Sequence, residues 1–267
     1  MGSNWLVEPG TKLDLGMIDT AGTEGAPGRK PTTEAALIPL REQLSGLQER
    51  LWAEHRRSLL VVLQAMDTGG KDGTIRHVLS GVNPQGIRVV SFKVPSQEEL
   101  DHDFLWRIHR AAPAAGEIGV FNRSHYEDVG IVRVHNLVPE KVWRERYDLI
   151  KAFEKQLAHR GTVVVKFFLH ISKDEQLERL KARLEDPEKR WKFNRGDLAE
   201  RAVWDRYQDA YQEAIRRTST PAAPWYVIPA DHKWYRNWAV ATVIVDTLKK
   251  MDPQVPEPED LEDVEIV

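Results

Sequence analysis

Apolar positions along this chain fall into short continuous runs, separated by longer stretches in which they recur every three or four residues. The runs are Leu59–Leu63, Ile87–Phe92, Glu117–Phe121, Thr162–Ile171 and Trp225–Ile228. Their length and their β-branched content predict strands. Helical spacing marks about 97–111, 139–159, 173–185, 197–217 and 232–251. Within 139–159, Trp143, Tyr147, Ile150, Phe153 and Leu157 share one face. A further helix is predicted from Thr33, where Leu37, Leu40, Leu44, Leu47 and Leu51 alternate spacings of three and four. That stripe packs either on the core of its own domain or on a partner helix. Strands that are apolar throughout, alternating with helices, predict an α/β fold: a central parallel five-stranded sheet covered on both faces. Ligands bind such sheets at the carboxyl ends of the strands. The loops after the first and third strands are therefore expected to share one crevice.

The Gly-, Thr- and Pro-rich residues 1–33 suggest an extended or partly mobile arm, leaving 34–251 as the globular unit. The 267 residues suit one good-sized domain, and 41% hydrophobic with 30% charged residues is ordinary for a soluble protein. No apolar run approaches the roughly 18 residues a bilayer crossing needs, and the first residues, MGSNWLVEPG, have no signal-peptide pattern. No membrane partner and a cytoplasmic location are expected. With no cysteine in the sequence, disulfides, thiolate metal sites and cysteine nucleophiles are excluded. The net charge of −3 conceals an asymmetry: 252–267 holds seven acids and no base, so the rest of the chain sums to +4. Such a tail is expected to be mobile and solvated, or else to compete with phosphates for the basic body. A body charge of +4 is low for a nucleic-acid binder, and no nucleic-acid module motif is present, so no nucleic-acid partner is expected.

Three segments carry candidate chemistry. The first strand runs into Ala65-Met-Asp67-Thr-Gly69-Gly70-Lys71-Asp72-Gly73-Thr74. Glycines here let amides approach phosphate oxygens, and Lys71 adds a point charge. Against the pattern G-x-x-x-x-G-K-[ST], Gly70 and Lys71 fit, but Ala65 replaces the first glycine and Asp72 the hydroxyl residue. That hydroxyl is the usual Mg²⁺ ligand, so Asp67 is the nearest substitute. A tight turn using glycine for geometry alone is the competing reading. The second segment, Asn122-Arg123-Ser124-His125-Tyr126-Glu127-Asp128, follows the third strand. Arg123 suits charge on a transferring phosphoryl group, and Glu127 and Asp128 suit a metal, a base or a sugar; read alone, they are ordinary loop residues. The third segment, Asp186–Arg195, interleaves Lys189, Arg190, Lys192 and Arg195 with Trp191 and Phe193 between two helices. It suits a lid over a polyanion, or a solvated basic loop. Further cations come from Arg76, His77, Lys93, Arg107, His109 and Arg110. Histidines 125, 135, 170 and 232 lack metal-ligand spacing. The aromatic stretch Trp225–Trp238 is assigned to core packing, with a helix start near Asp231.

Together these segments resemble the polyphosphate kinase 2 family of P-loop phosphotransferases. Asp67-Thr-Gly-Gly-Lys71-Asp-Gly is similar to the family's D-x-x-G-K-[GD]-G, Phe121-Asn-Arg-Ser-His-Tyr to F-[DN]-R-S-[WH]-Y, and Pro187-Glu-Lys-Arg-Trp-Lys192 to P-x-K-x-W-K. The resemblance spans about residues 35–250. It implies a P-loop kinase-like three-layer sandwich with a helical lid around 186–197. It implies reversible transfer of a terminal phosphoryl group between inorganic polyphosphate and nucleotides, with Mg²⁺ as cofactor. Carried over, Asp67 positions Mg²⁺ or the acceptor phosphate, Lys71 holds the phosphoryl group and Arg123 neutralises charge beside it. Gly69, Gly70, Asp72, Gly73, Thr74 and Arg76 form the phosphate-binding turn, and Asn122, Glu127 and Asp128 the second, nucleotide-side loop. Lys189, Arg190 and Lys192 close over the anion. Asn122 stands where many members carry aspartate, which weakens a metal role there. Glu127 resembles the class acting on both mono- and diphosphates, implying AMP and ADP as acceptors and ATP as product. A homo-oligomer, dimer or tetramer, is also implied. Two rivals remain: an ATP-dependent nucleoside monophosphate kinase of the thymidylate-kinase type, and a non-catalytic nucleotide-sensing module.

Overall fold

A computed structural model describes residues 2–258. Six strands form one sheet: β1 (Leu6–Val7), β2 (Ser58–Ala65), β3 (Ile87–Ser91), β4 (Ile118–Asn122), β5 (Thr162–His170) and β6 (Trp225–Pro229). Among the described residues the α-helices are α1 (Lys30–Glu54), α2 (Lys71–Val78), α3 (Gln97–Leu100), α4 (Trp106–Ala111), α5 (Ile131–Val134), α6 (Glu140–His159), α7 (Lys173–Glu185), α8 (Gly196–Ala202), α9 (Trp204–Thr218) and α10 (Lys233–Met251). The spatial order is β1-β6-β5-β2-β4-β3. The five strands expected from the apolar runs are all parallel, and β1 adds a sixth, antiparallel to β6 through Leu6↔Tyr226 and Val7↔Trp225. A two-residue strand has no periodicity of its own, so only its long-range partner defines it.

β2 sits between β4 and β5, and all eight of its residues are buried. Side chains alternate across the sheet. On β5, Lys166 and Phe168 therefore face α6 and α9, meeting Glu154 and Tyr211. Phe167 points the other way and stacks on Tyr226. On that side α1 packs along α10, and α10 along α2. Leu37, Leu44 and Leu51 are buried, with Leu40 and Leu47 packed against the same core. The leucine stripe is thus satisfied within its own chain. α10 is buried around most of its circumference, as its nearly continuous apolar run from Ala239 to Val245 requires.

Two expected helices are each divided. The stretch 97–111 breaks after Leu100, where Asp103 Oδ1 accepts from the Leu105 amide and offers the backbone an alternative to the helix. The stretch 197–217 breaks at Val203. The N-terminal segment combines two 3-10 turns with the short strand β1 and is anchored to the rest of the chain. Trp5 Nε1 donates to Tyr235 Oη at 2.9 Å, and Leu15 is buried beneath His170, whose Nε2 meets the Leu15 carbonyl at 2.9 Å. Thr20 Oγ1 donates to Asp231 Oδ2 at 2.6 Å. Of the acidic segment 252–267, residues 259–267 lie outside the described residues. Among the described residues no helix is long and apolar enough to cross a membrane.

Candidate active site

β2 ends at Ala65 and α2 begins at Lys71, so the glycine-rich turn closes the carboxyl end of the central strand. Gly69 is required by contact: a Cβ there would lie 2.5 Å from the Ala65 Cβ. Gly70 is required twice, by its φ of +98° and because a Cβ would lie 1.9 Å from Arg236 Nη1. Thr68 is left-handed without being glycine, at φ +61°, and the Arg179 guanidinium holds its carbonyl at 3.0 Å. Gln176 Nε2 donates to the Asp67 carbonyl at 3.0 Å. Thr74 is buried, and its hydroxyl donates to the Gly70 carbonyl at 3.1 Å, bracing the first turn of α2.

β4 pairs directly with β2, which brings the second loop against the first. Arg123 is also left-handed, at φ +62°, and its amide donates to the Leu63 carbonyl. Its Nη2 donates to Asp67 Oδ1 at 2.9 Å. One residue earlier, Asn122 Nδ2 donates to Asp72 Oδ1 at 2.6 Å. Such backbone strain persists only where surrounding structure fixes it, and here both strained residues face one crevice.

Lys71 lies at the centre, its Nζ donating to the Ala65 carbonyl at 3.0 Å. Burial, with Arg123 beside it, pulls its pKa down to about 8, against the pull of Asp67, Glu127 and Asp72. Arg123 is shifted upward: burial opposes its charge, but Glu127 and Asp67 outweigh that. The crevice has a volume of roughly 1980 Å³ and, among the described residues, is lined by twelve Lys or Arg against six Asp or Glu. Its size and its cation excess suit a ligand that is long and negatively charged.

Asp67, Gly69, Gly70, Lys71, Asp72, Gly73, Asn122, Arg123, Lys189 and Lys192 all line this crevice. Other candidates do not. Arg76 is exposed in the last turn of α2. Asp128 is turned away, with Oδ1 accepting from Arg146 Nη1 at 3.1 Å; burial pushes its pKa up to about 6, against the pull of Arg146. Glu127 acts on Lys71 and Arg123 by charge without lining the space. Arg190 Nε donates to the Leu184 carbonyl at 2.6 Å, at the end of α7. The rest of the basic segment hangs over the crevice: Trp191 is 77% exposed, with the Lys192 ammonium 5.1 Å from its ring centre.

Several residues of the site escaped sequence reasoning. Arg179 donates to the carbonyls of Thr68, Ala230 and Asp231 and pairs with Glu175, tying the turn to the end of β6. Arg236 and Asn237 reach the crevice from α10. The available signal was an arginine within a helix too apolar to be on the surface. Beneath the second loop lies a buried polar cluster. Lys166 Nζ donates to Glu154 Oε2 at 2.7 Å, to Tyr126 Oη and to the Thr218 carbonyl. Tyr126 Oη donates to Glu154 Oε1, which also faces His125 Nε2 at 3.3 Å. Glu154 stays ionised there: burial would raise its pKa, but Lys166 and His125 lower it. Burial lowers the pKa of His125 despite Glu154. The cluster thus fixes the short helical turn that follows Arg123.

Mg²⁺ is commonly held by one or two carboxylates plus substrate phosphates rather than by a cage of protein ligands. The donors here fit that pattern. Asp67 and Asp72 flank Lys71 in the crevice, and among the described residues no group of three or more His, Cys, Asp or Glu forms a cage.

The family model described as polyphosphate kinase 2 matches residues 29–256. The AMP/ADP-polyphosphate phosphotransferase of Meiothermus ruber is 56% identical over 253 residues, covering 95% of each chain. The ADP-polyphosphate phosphotransferase of Rhodopseudomonas palustris is 47% identical, covering 94% of this chain and 91% of its own. The crystal structure of polyphosphate kinase 2 from Arthrobacter aurescens superposes with a TM-score of 0.94 at 46% identity, covering 97% of this chain and 92% of that one. Turn, second loop and basic overhang all lie within the matched residues, and the chain belongs to the polyphosphate kinase 2 family.

Proposed function

We propose that this protein transfers a terminal phosphoryl group reversibly between inorganic polyphosphate and adenine nucleotides, converting AMP to ADP and ADP to ATP. One observation carries the reading: Arg123 and Asp67, from the loops of neighbouring strands, meet at 2.9 Å beside Lys71 in a crevice with a twofold excess of cations. Family membership and the names of the relatives from Meiothermus ruber and Rhodopseudomonas palustris support polyphosphate as donor. The dual acceptor range rests on the first of these relatives and on Glu127 in the second loop.

Both reactants are anions, so the protein's task is to hold them together in line. Amides at the start of α2 cradle the phosphates while Lys71 and Arg123 supply positive charge to the transferring group. Asp67, steadied by Arg123, and Asp72, steadied by Asn122, are the groups that would hold Mg²⁺. When bound, Mg²⁺ neutralises charge on the phosphate oxygens. Lys189, Lys192 and Trp191 descend over the crevice, excluding water from the reacting group. No covalent enzyme intermediate is needed.

The test combines the protein with Mg²⁺, long-chain polyphosphate and AMP or ADP, with no ATP added, and follows ATP. Formation of ATP supports the reading. Turnover only with ATP as donor would replace it with a monophosphate kinase, and tight binding without turnover with a nucleotide sensor. Lys71→Ala and Asp67→Ala lose most turnover while staying folded. Near-normal rates in both variants would remove these two roles.

A further inference from the structure

Two arginines lie side by side under the glycine-rich turn, and their surroundings differ sharply. Arg179 is well compensated: Nε pairs with Glu175, and the two Nη atoms donate to three carbonyls. Arg236 is only 2% exposed, yet among the described residues its one acceptor is a neutral amide, Asn237 Oδ1, met by Nε at 3.2 Å and by Nη2 at 2.9 Å. Among the described residues no carboxylate comes within ion-pair distance of it. Burial, with the Arg179 charge beside it, pulls its pKa down to about 9. A guanidinium has five N–H donors and keeps its proton under ordinary conditions, so this cation is poorly compensated by the protein. Buried charges are normally paired. A buried guanidinium short of a counter-charge is a place where an incoming anion can supply one.

Its placement says which anion. Nη1 lies where a side chain on Gly70 would be, and Nη2 would be 3.3 Å from a Cβ on Gly73. The guanidinium therefore lies against the turn whose amides meet phosphate, and it lines the same crevice as Lys71 and Arg123. We propose that Arg236 is a phosphate-binding residue: its free N–H groups reach a phosphate oxygen of the polyanion through the gap left by two glycines. The inference rests on the phosphotransferase reading and adds a cationic contact supplied by α10 rather than by either loop or the basic segment. It also gives Gly70 and Gly73 a second purpose, since any side chain at Gly70 would displace the guanidinium.

The test uses the full chain and tripolyphosphate as probe. Calorimetric titration gives its Kd, and thermal unfolding with and without it gives the shift in Tm. Arg236→Met keeps much of the volume and removes the charge. Expected is a rise in Kd of about 10- to 100-fold, the range for a lost charge-assisted hydrogen bond. The ligand-free Tm is expected to stay level or rise, because an uncompensated buried charge has gone. A purely structural arginine predicts the reverse: a lower ligand-free Tm with Kd unchanged, and that result overturns the proposal. If Arg236→Met does not fold, Arg236→Lys decides. A weaker Kd for tripolyphosphate supports the binding role, and an unchanged Kd with lowered Tm overturns it. Wild-type protein that fails to bind tripolyphosphate overturns the phosphotransferase reading itself. Wild-type binding with undiminished binding by the variants overturns only the role of Arg236.

Discussion

Lys71 offers a direct test of how the crevice handles charge. Its pKa is lowered from 10.5 to about 8, chiefly by burial and then by Arg123. At about 1.4 kcal/mol per pKa unit, the shift corresponds to about 3 kcal/mol of unfavourable surroundings for the ammonium, an upper figure because part of Lys71 opens to the crevice. The cation is the form that attracts phosphate, so the active form is lost as pH rises through the pKa. In the free enzyme half of it remains at about pH 8 and a tenth at about pH 9. The profile of kcat/KM for polyphosphate reports the free enzyme and should bend downward near pH 8, falling about tenfold per unit beyond. Bound phosphate supplies the counter-charge and favours the ammonium, so the bend in kcat should lie at least about one unit higher. Steady-state rates with ADP at fixed ionic strength, from about pH 7 to 10, separate the two profiles. Lys71→Arg, whose guanidinium holds its proton more firmly, should move the bend upward even where its rate is lower. A flat wild-type kcat/KM profile to about pH 9.5, or an unaltered bend in Lys71→Arg, would refute the role of Lys71 as the titrating cation.

Other substitutions test neighbouring parts of the argument. Gly70→Ala forces a side chain into φ +98° and onto Arg236 Nη1; we expect a loss of about 1–2 kcal/mol, seen as a lower Tm, together with at least a tenfold drop in kcat/KM. Arg123→Lys loses the guanidinium N–H that Asp67 accepts, and kcat should fall about 100- to 1000-fold with a smaller change in KM, measured by initial rates. Glu154→Gln and Lys166→Met each leave a buried partner uncompensated and should cost about 3–5 kcal/mol in urea unfolding. The double variant should recover much of that, and a cost equal to the sum of the two would contradict a coupled pair. Closure of the basic segment should change tryptophan fluorescence when tripolyphosphate and ADP are added, and the change should be missing from Trp191→Phe.

Much of this molecule could be read locally. Continuous apolar runs mark the parallel strands because burial on both faces leaves no room for polar alternation. The turn at Gly69–Lys71 is legible because glycine geometry and a following helix leave a local signature. Local pattern does not show which partner a polar side chain takes once the chain is packed. Asp128 reads as a site acid but is occupied by Arg146, which comes from α6. Arg190 reads as a lid cation but is turned back onto the end of α7. β1 was invisible because two residues carry no period.

From the order of residues alone came the α/β class, the two loops that share a crevice, and a resemblance specific enough to name the family. Folding alone settled which charges meet. Arg236 touches a turn more than 150 residues earlier in the chain, and Lys166 finds its counter-ion on a helix packed across the sheet face. Hydrophobic periodicity is written into neighbouring positions, whereas the compensation of a buried charge depends on what three-dimensional packing brings within a few ångströms of it.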